Sequence, residues 1–273
     1  MEVKEIDFSK FSSIKVGKKH KIYLIEKEEE IFDFNEKSYF ILGSGNNILA
    51  TDFISKKIIK LSKNFDFIKL EGDFLRIGGA TPSGKIVSFA KKYNFTGFEF
   101  MSKLPGTLGG MLKMNAGLKE HEIFNHLHSI KTVSDFNRKK TDWLNKENIE
   151  HGYRFTSIDE VVFEAKFKIN KEINFNKELI ETFKNMRKNQ PKHPSAGSCF
   201  KNPKNHSAGF LIEQVGLRGF KIGNMGFAEE HANFLVNYGG GNFQEARELI
   251  NLAKLKVKEK FDLDLEQEVI LIN

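Results

Sequence analysis

Two short glycine-rich runs hold the residues best suited to binding a ligand. The first is Gly43-Ser44-Gly45-Asn46-Asn47, which directly follows an apolar run at 38–42. Glycine accepts positive φ and lets a ligand lie close to the backbone. Successive amide groups in such a turn form a concave anion site. The same composition also makes an ordinary tight turn, and the GxGxxG fingerprint of a Rossmann fold is missing. The second run is Leu104-Pro105-Gly106-Thr107-Leu108-Gly109-Gly110, soon followed by Met114-Asn115-Ala116-Gly117. Two clusters of small residues so close together fill a core poorly, but they let an extended cofactor approach the chain. Thr107 offers a hydroxyl to a phosphate, and Asn115 an amide to a phosphate or a ring. A cofactor with a pyrophosphate bridge would use both loops.

Single residues add less by themselves. Ser198 and Cys199 stand side by side in a turn-prone run, Arg154 follows Tyr153, and Glu268 opens the apolar stretch 268–272. An arbitrary loop serine bonds to backbone and a lone arginine joins a surface ion pair. Arg187, Lys188 and Lys201 read either as phosphate holders or as a solvated basic face. His231 reads as structural, not as a base. The eight histidines and one cysteine show no HExxH or paired metal-ligand spacing, so no metal is expected.

The elements that must position these residues are mixed. Residues 21–25 and 38–42 read as strands, with a short helix between them over 26–34. Further strands are expected over 57–61 and 66–78, with a hairpin turn at Glu71-Gly72-Asp73. Ser83 reads as the cap of a helix to about Tyr93, with Ile86, Phe89 and Ala90 on one face. Val161, Phe163, Ala165, Phe167 and Ile169 alternate as one face of a strand over 161–169. A helix is expected over 176–189. Asn242 and Glu245 form a capping box for a helix to about Phe261, whose stripe is Ala246, Leu249, Ile250, Ala253 and Val257. Strands and helices without strict alternation place the chain in the α+β class.

The chain has 273 residues, 40% of them hydrophobic and 29% charged, which is an ordinary globular composition. A formal net charge of +7 suits anionic partners such as nucleotides or nucleotide sugars. The charge is scattered with no basic tail, which argues against nucleic acid. With one cysteine no internal disulfide can form, so a reducing compartment is expected. No apolar segment reaches the ~20 residues that span a bilayer, and the first residues have no signal-like apolar core.

The run LGSGNNILATD at 42–52 resembles the first flavin-binding motif of the UDP-N-acetylenolpyruvoylglucosamine reductases, the MurB family. GFEFMSKLPGTLGGMLKMNAG at 97–117 is similar to the second. Tyr153-Arg154, SAGSCFKNP at 195–203, AGFLIEQVGLRGFKIG at 208–223, HANFLVN at 231–237 and Leu265-Glu266-Gln267-Glu268-Val269 follow in family order. Departures are Lys103, Met111, Leu118 and Asn46, where the family commonly has Gly, a small residue, Ala and Ser; they bear on the flavin environment.

The resemblance implies an α+β fold of two FAD-binding subdomains, 1–68 and 69–190, the latter joined by the C-terminal strand at about 262–273, and a substrate-binding domain over 191–261. It implies the shorter form of the family, without the inserted substrate-closing segment. It implies FAD as cofactor, held by Gly43, Ser44, Gly45, Asn46, Asn47, Pro105, Gly106, Thr107, Gly109, Gly110, Asn115 and Ala116, with NADPH as co-substrate. The implied substrate is UDP-N-acetylglucosamine enolpyruvate. Ser198 would be the proton donor, with Arg154 and Glu268 completing the catalytic set and Tyr153, Asn202, Arg187 and Lys201 contacting the substrate. The resemblance further implies a cytoplasmic enzyme of peptidoglycan precursor synthesis, with a monomer favoured. Alternatives are another flavin oxidoreductase of the same superfamily, or a non-catalytic nucleotide-binding protein.

Overall fold

A computed structural model describes all 273 residues, Met1–Asn273. The chain divides into two compact units, one of residues 1–4, 22–44 and 57–187, the other of 5–21, 45–56 and 188–273. Helices and strands are mixed in both, as the α+β reading requires.

The first unit contains two sheets. Lys57–Leu61 lies between Lys19–Ile25 and Tyr39–Ile41 with all three parallel, in register at Ile22↔Ile58 and Phe40↔Ile58. The link expected to be a short helix is a 3-10 helix, Glu28–Asp33. The second sheet is antiparallel, in the order Lys140–Asn145, Leu127–Asp135, Glu164–Lys168, Phe74–Gly78, Ile68–Glu71. Its Leu75, Ile77, Ile130, Ala165 and Phe167 pack with residues of the helices Ser83–Tyr93, Leu108–Lys113 and Lys177–Met186. Val161 and Phe163 join Ile25, Ile59 and Phe65 in a separate cluster. All five residues are buried, but not as one face of a half-buried strand: they divide between two clusters, Val162 and Glu164 are buried as well, and the regular strand begins only at Glu164.

In the second unit, Ser195–Ser198, Phe234–Asn237, Met225–Phe227 and Lys221–Ile222 form an antiparallel sheet in that order. The helix Phe243–Phe261 starts with the expected capping box at Asn242 and Glu245 and buries all five residues of its stripe. It packs with Ala208–Gln214 in a core that includes Ile14, Leu49, Phe200, Phe227 and Leu235. The C-terminal strand Ile270–Ile272 runs parallel to Ile48–Ala50, in this same unit.

Three local expectations are corrected. Pro82, not Ser83, is the N-cap of Ser83–Tyr93, because the Pro82 carbonyl accepts the first helical bonds, from Lys85 and Ile86, and Ser83 is already helical. Ser198 ends a strand rather than sitting in a turn. Glu268 precedes the last strand, which begins at Ile270. The hairpin Leu127–Asp135 with Lys140–Asn145 carried no sequence expectation.

One buried carboxylate ties the helical layer together. Glu99 is 2% exposed and accepts from Thr96 Oγ1 (2.9 Å), the Gly97 amide (2.8 Å) and the Asn176 amide (2.8 Å). It thereby fixes the entry to the Lys177–Met186 helix, whose cap is Asn176. Glu99→Ala strands three donors and is expected to cost about 3 kcal/mol. A urea midpoint equal to that of the parent chain would show that the carboxylate is dispensable.

Candidate active site

In the first unit the sequence-derived residues gather around segment 104–117 and the hairpin of His151–Gly152 with Phe155–Thr156. Thr107 adopts an extended conformation (φ −94°, ψ 156°) before the helix Leu108–Lys113 and makes no side-chain capping bond. A Cβ at Gly43 would lie 3.0 Å from Thr107 Oγ1, and one at Gly110 3.6 Å from it. Both glycines therefore leave room beside that hydroxyl. Gly109 has a different reason to be small. Its amide donates to the Gly79 carbonyl at 2.9 Å, and a Cβ there would stand 3.3 Å from that same oxygen. Its N–H is committed to packing and is not offered to a phosphate. The Leu108 amide is likewise bound to Thr81, and the Gly106 carbonyl accepts from Ser83.

Asn115 is fully buried and left-handed, with φ 39°. Its Nδ2 donates to Glu122 Oε2 at 2.8 Å and to the Gly152 carbonyl at 2.9 Å. Both acceptors lack protons to give, so the orientation of the carboxamide is fixed. Its Oδ1 has no hydrogen-bond partner. Tyr153 and Arg154 form the two-residue turn of the hairpin, and Arg154 is also left-handed, with φ 54°. The Arg154 guanidinium donates to the Gly117 carbonyl at 2.9 Å and to the Asn115 carbonyl at 3.5 Å, and lies 5.4 Å from the ring centre of the exposed Tyr153. Arg187 follows the Lys177–Met186 helix. Burial holds its guanidinium below its usual range, and the positive charge of Arg154 lowers it further. Two cations sharing one neighbourhood favour an anion there.

In the second unit, Gly197 has φ +83° and open space around its missing Cβ. The register between Ser195–Ser198 and Phe234–Asn237 shifts at this point, a bulge that re-aims the end of the strand where Ser198 sits. The segment after Ser198 is clamped. The Cys199 amide donates to the Asn233 carbonyl at 2.7 Å. Asn233 Oδ1 accepts from the Phe200 amide at 2.9 Å, and Asn233 Nδ2 donates to the Phe200 carbonyl at 2.8 Å. The Glu268 amide donates to the Cys199 carbonyl at 2.9 Å, and the Lys201 amide to the Glu266 carbonyl at 2.8 Å. Ser198 and Glu268 thus flank one pair of hydrogen-bonded segments. Asn47 joins them, with Nδ2 donating to the Glu268 carbonyl at 2.9 Å and its own carbonyl accepting from Ile270 at 3.0 Å.

The remaining candidates here carry structural bonds. Lys201 is paired with Glu266 at 2.6 Å, and Asn202 Oδ1 accepts from the Ala208 amide at 3.0 Å. Gly45 has φ +74°, and a Cβ there would lie 2.7 Å from the Phe11 ring; the carbonyls of Gly45 and Asn46 accept from Ser13. His231 Nδ1 accepts from the Asn233 amide at 3.2 Å, which makes it the prop of the clamp. Cys199 is buried and burial pushes its thiol well above its usual range, so the sulfur beside Ser198 is inert.

Residues 190–272 match the family described as UDP-N-acetylenolpyruvoylglucosamine reductase, C-terminal domain. A UDP-N-acetylenolpyruvoylglucosamine reductase of Helicobacter pylori is 43% identical over 98% of this chain and 98% of its own. One from Campylobacter jejuni is 44% identical over 98% of this chain and 99% of its own. The chain belongs to the UDP-N-acetylenolpyruvoylglucosamine reductase family. The crystal structure of the MurB reductase from Thermus caldophilus superposes with a TM-score of 0.86 at 28% identity, covering 100% of both chains.

Two reductase-family residues with clear structural duties lay outside the sequence-derived set. Asn233 sits inside the HANFLVN block, so its motif was visible while its role was not. Glu122 lies in a polar stretch that gave no signal. Asn233→Ala would strand both backbone groups of the buried Phe200, at a cost of about 2–3 kcal/mol. A denaturation midpoint within error of the parent would rule out the clamp.

Proposed function

We propose that this chain reduces UDP-N-acetylglucosamine enolpyruvate to UDP-N-acetylmuramate, with FAD as resident cofactor and NADPH as electron source. Full-length similarity to reductases bearing that substrate's name carries the reading. The substrate is an enol ether bearing a carboxylate. Its reduction needs a hydride at the terminal carbon and a proton at the carbon bearing the carboxylate. Hydride delivery is the chemistry that bound FAD supplies, since no side chain can.

The residues present fit such a cofactor. Gly43 and Gly110 leave space beside the Thr107 hydroxyl, and Asn115 keeps a buried acceptor without a protein partner. A phosphate would be held by Thr107 and the amides of the 43–47 turn, and a ring edge by Asn115 and Ala116. Pro105 and Gly106 shape the approach. Gly109 supports this loop from behind.

Ser198 gives its proton to the substrate carbon. Serine is a weak acid, and a positioned donor is worth on the order of 10²–10⁴ in rate. Arg154 grips the substrate carboxylate and stabilises the charge that builds on it in the enolate-like transition state. Glu268 acts on the same charge. A carboxylate beside growing negative charge helps only in its protonated form, so Glu268 works as a hydrogen-bond donor there. Tyr153 and Asn202 contact the substrate, and Arg187 and Lys201 serve its phosphates; Lys201 then exchanges Glu266 for the ligand. NADPH and substrate use the site in turn, in keeping with the net charge of +7. Residues 1–68 and 69–190 serve the cofactor and 191–261 the substrate. The enzyme works in the cytoplasm, which suits a lone buried cysteine.

The test is the visible spectrum under anaerobic conditions. The protein is expected to show oxidised flavin that bleaches with NADPH and returns on adding the enolpyruvate. Ser198→Ala is expected to bleach as before but to recover about 10²–10⁴ more slowly. Bleaching without any return in the parent protein would move it to another oxidoreductase reaction. No flavin after reconstitution with FAD would overturn the proposal.

A further inference from the structure

We infer that Glu122 is a positioning residue for Arg154, acting through Asn115. The inference rests on the carboxylate-gripping role proposed above for Arg154. Glu122 lies in the second strand of the small hairpin Gly117–Leu118 with His121–Glu122, directly across from Gly117. The two strands are in tight contact: a Cβ at Gly117 would stand 2.5 Å from the His121 carbonyl and 2.8 Å from Glu122 Cγ. The register of Glu122 against Gly117 is thereby held.

From this place Glu122 Oε2 accepts from Asn115 Nδ2 at 2.8 Å. The other Nδ2 proton goes to the Gly152 carbonyl at 2.9 Å, and Gly152 is the residue just before the Tyr153-Arg154 turn. Asn115 therefore holds the base of the turn that presents Arg154. The guanidinium is caught at its other end by the carbonyls of Asn115 and Gly117, which flank Ala116. Each of these fixed points traces to Asn115 or to its hairpin, and the one charged side chain bonded to Asn115 Nδ2 is Glu122.

Chemistry makes that bond matter. An amide can rotate about its last torsion, and a neighbour able to donate as well as accept would let oxygen and nitrogen exchange places. A carboxylate accepts and cannot donate, so it admits only the nitrogen. A charge-assisted bond is also about twice as strong as a neutral one. Without Glu122 the Asn115 carboxamide keeps only the neutral bond to the Gly152 carbonyl and loses the charge-assisted one, so the base of the turn is held less firmly. Arg154, already left-handed, would then sit on a less firmly held turn.

The test compares two ligands that differ at the carboxylate: UDP-N-acetylglucosamine enolpyruvate, which carries it, and UDP-N-acetylglucosamine, which does not. Binding to the oxidised protein is measured for the parent, Arg154→Ala, Glu122→Ala and the double variant. Glu122→Ala is expected to weaken the carboxylate ligand roughly tenfold and to leave the other unchanged. That loss should be absent when Arg154 is already alanine, and Glu122→Gln, which keeps an acceptor oxygen but can also donate, should cut it only to about threefold. Equal weakening of both ligands, or a loss that adds in full to that of Arg154→Ala, would overturn the inference and leave the role of Arg154 standing. If Arg154→Ala itself does not discriminate between the ligands, the reading of Arg154 fails and the Glu122 inference falls with it. Should Glu122→Ala not fold, Glu122→Gln decides alone. A selective loss of about threefold supports the inference, and an unchanged ratio between the two ligands sinks it.

Discussion

The amides of Glu268 and Val269 converge on the carbonyl of Cys199, at 2.9 and 3.3 Å, and the second unit is arranged around that convergence. It joins segments far apart in sequence, and it does so immediately after Ser198. Nothing in residues 195–203 alone would bring the 266–269 segment alongside this stretch. The bond requires that Phe200 be held in line, which Asn233 does with both ends of its carboxamide. It requires that 266–269 be held from the other side, which Asn47 does through the Glu268 carbonyl. The apolar side chains Leu265, Val269, Cys199 and Phe200 then bury the junction in the same core as the Phe243–Phe261 helix. Burial here raises the cost of any unpaired backbone group, so the junction has few alternatives.

The first unit solves a similar problem with a different hub. Asn115 has no apolar function; it is a fully buried amide whose donors are both spent and whose oxygen is unspent. A buried acceptor left without a donor costs about 1–3 kcal/mol. A fold carries that cost where a ligand or a water supplies the missing proton. The arrangement around Thr107 is of the same kind, with a hydroxyl released from capping and two glycines leaving space at its side. Glu99, by contrast, is buried with three donors bound to it. Unmet hydrogen-bonding capacity gathered in the stretch from Ser102, whose buried hydroxyl also lacks a partner, to Asn115 is a physical mark of a binding surface.

Periodic elements were legible from the sequence because burial writes directly into residue type. The stripe Ala246, Leu249, Ile250, Ala253, Val257 and, in the shorter strand, Ala165 and Phe167 report their own inner faces. The capping box at Asn242 was equally plain, since it is a local bond with fixed spacing. What stayed hidden was everything decided across the chain. The turn-like composition of 195–203 masked a strand, because the bulge at Gly197 breaks its alternation. Ser83 looked like a cap by residue type, yet the helix takes its first acceptor from the Pro82 carbonyl and begins one residue earlier. Gly109 looked like a ligand-holding glycine, and only the Gly79 carbonyl behind it shows that closeness of two backbones is the reason for its size. Glu122 is an acidic residue in a polar stretch until its hairpin sets it against Asn115.

Backbone conformation gives an independent line to the same place. Nine non-glycine residues have clearly positive φ: Lys15, Lys37, Asn94, Asn115, Lys119, Lys139, Arg154, Asn205 and Asp262. Asn94 and Asp262 close helices, where the left-handed turn satisfies terminal carbonyls. Seven of the nine are exposed; the two that are not are Asn115 and Arg154. A left-handed arginine gains nothing from its side chain locally, unlike an asparagine or aspartate. Its conformation has to be imposed by its surroundings, at about 1–3 kcal/mol. Those surroundings are the two-residue turn, the Gly152 anchor and the two carbonyls that hold the guanidinium. The strain is sustained by the Asn115 hub, which is itself left-handed. An Arg at an unstrained position would need none of this support, and it would not project from the tip of a turn beside an exposed tyrosine. The direction of one guanidinium thus accounts for the conformation of two residues and for the bonds of a third, Glu122.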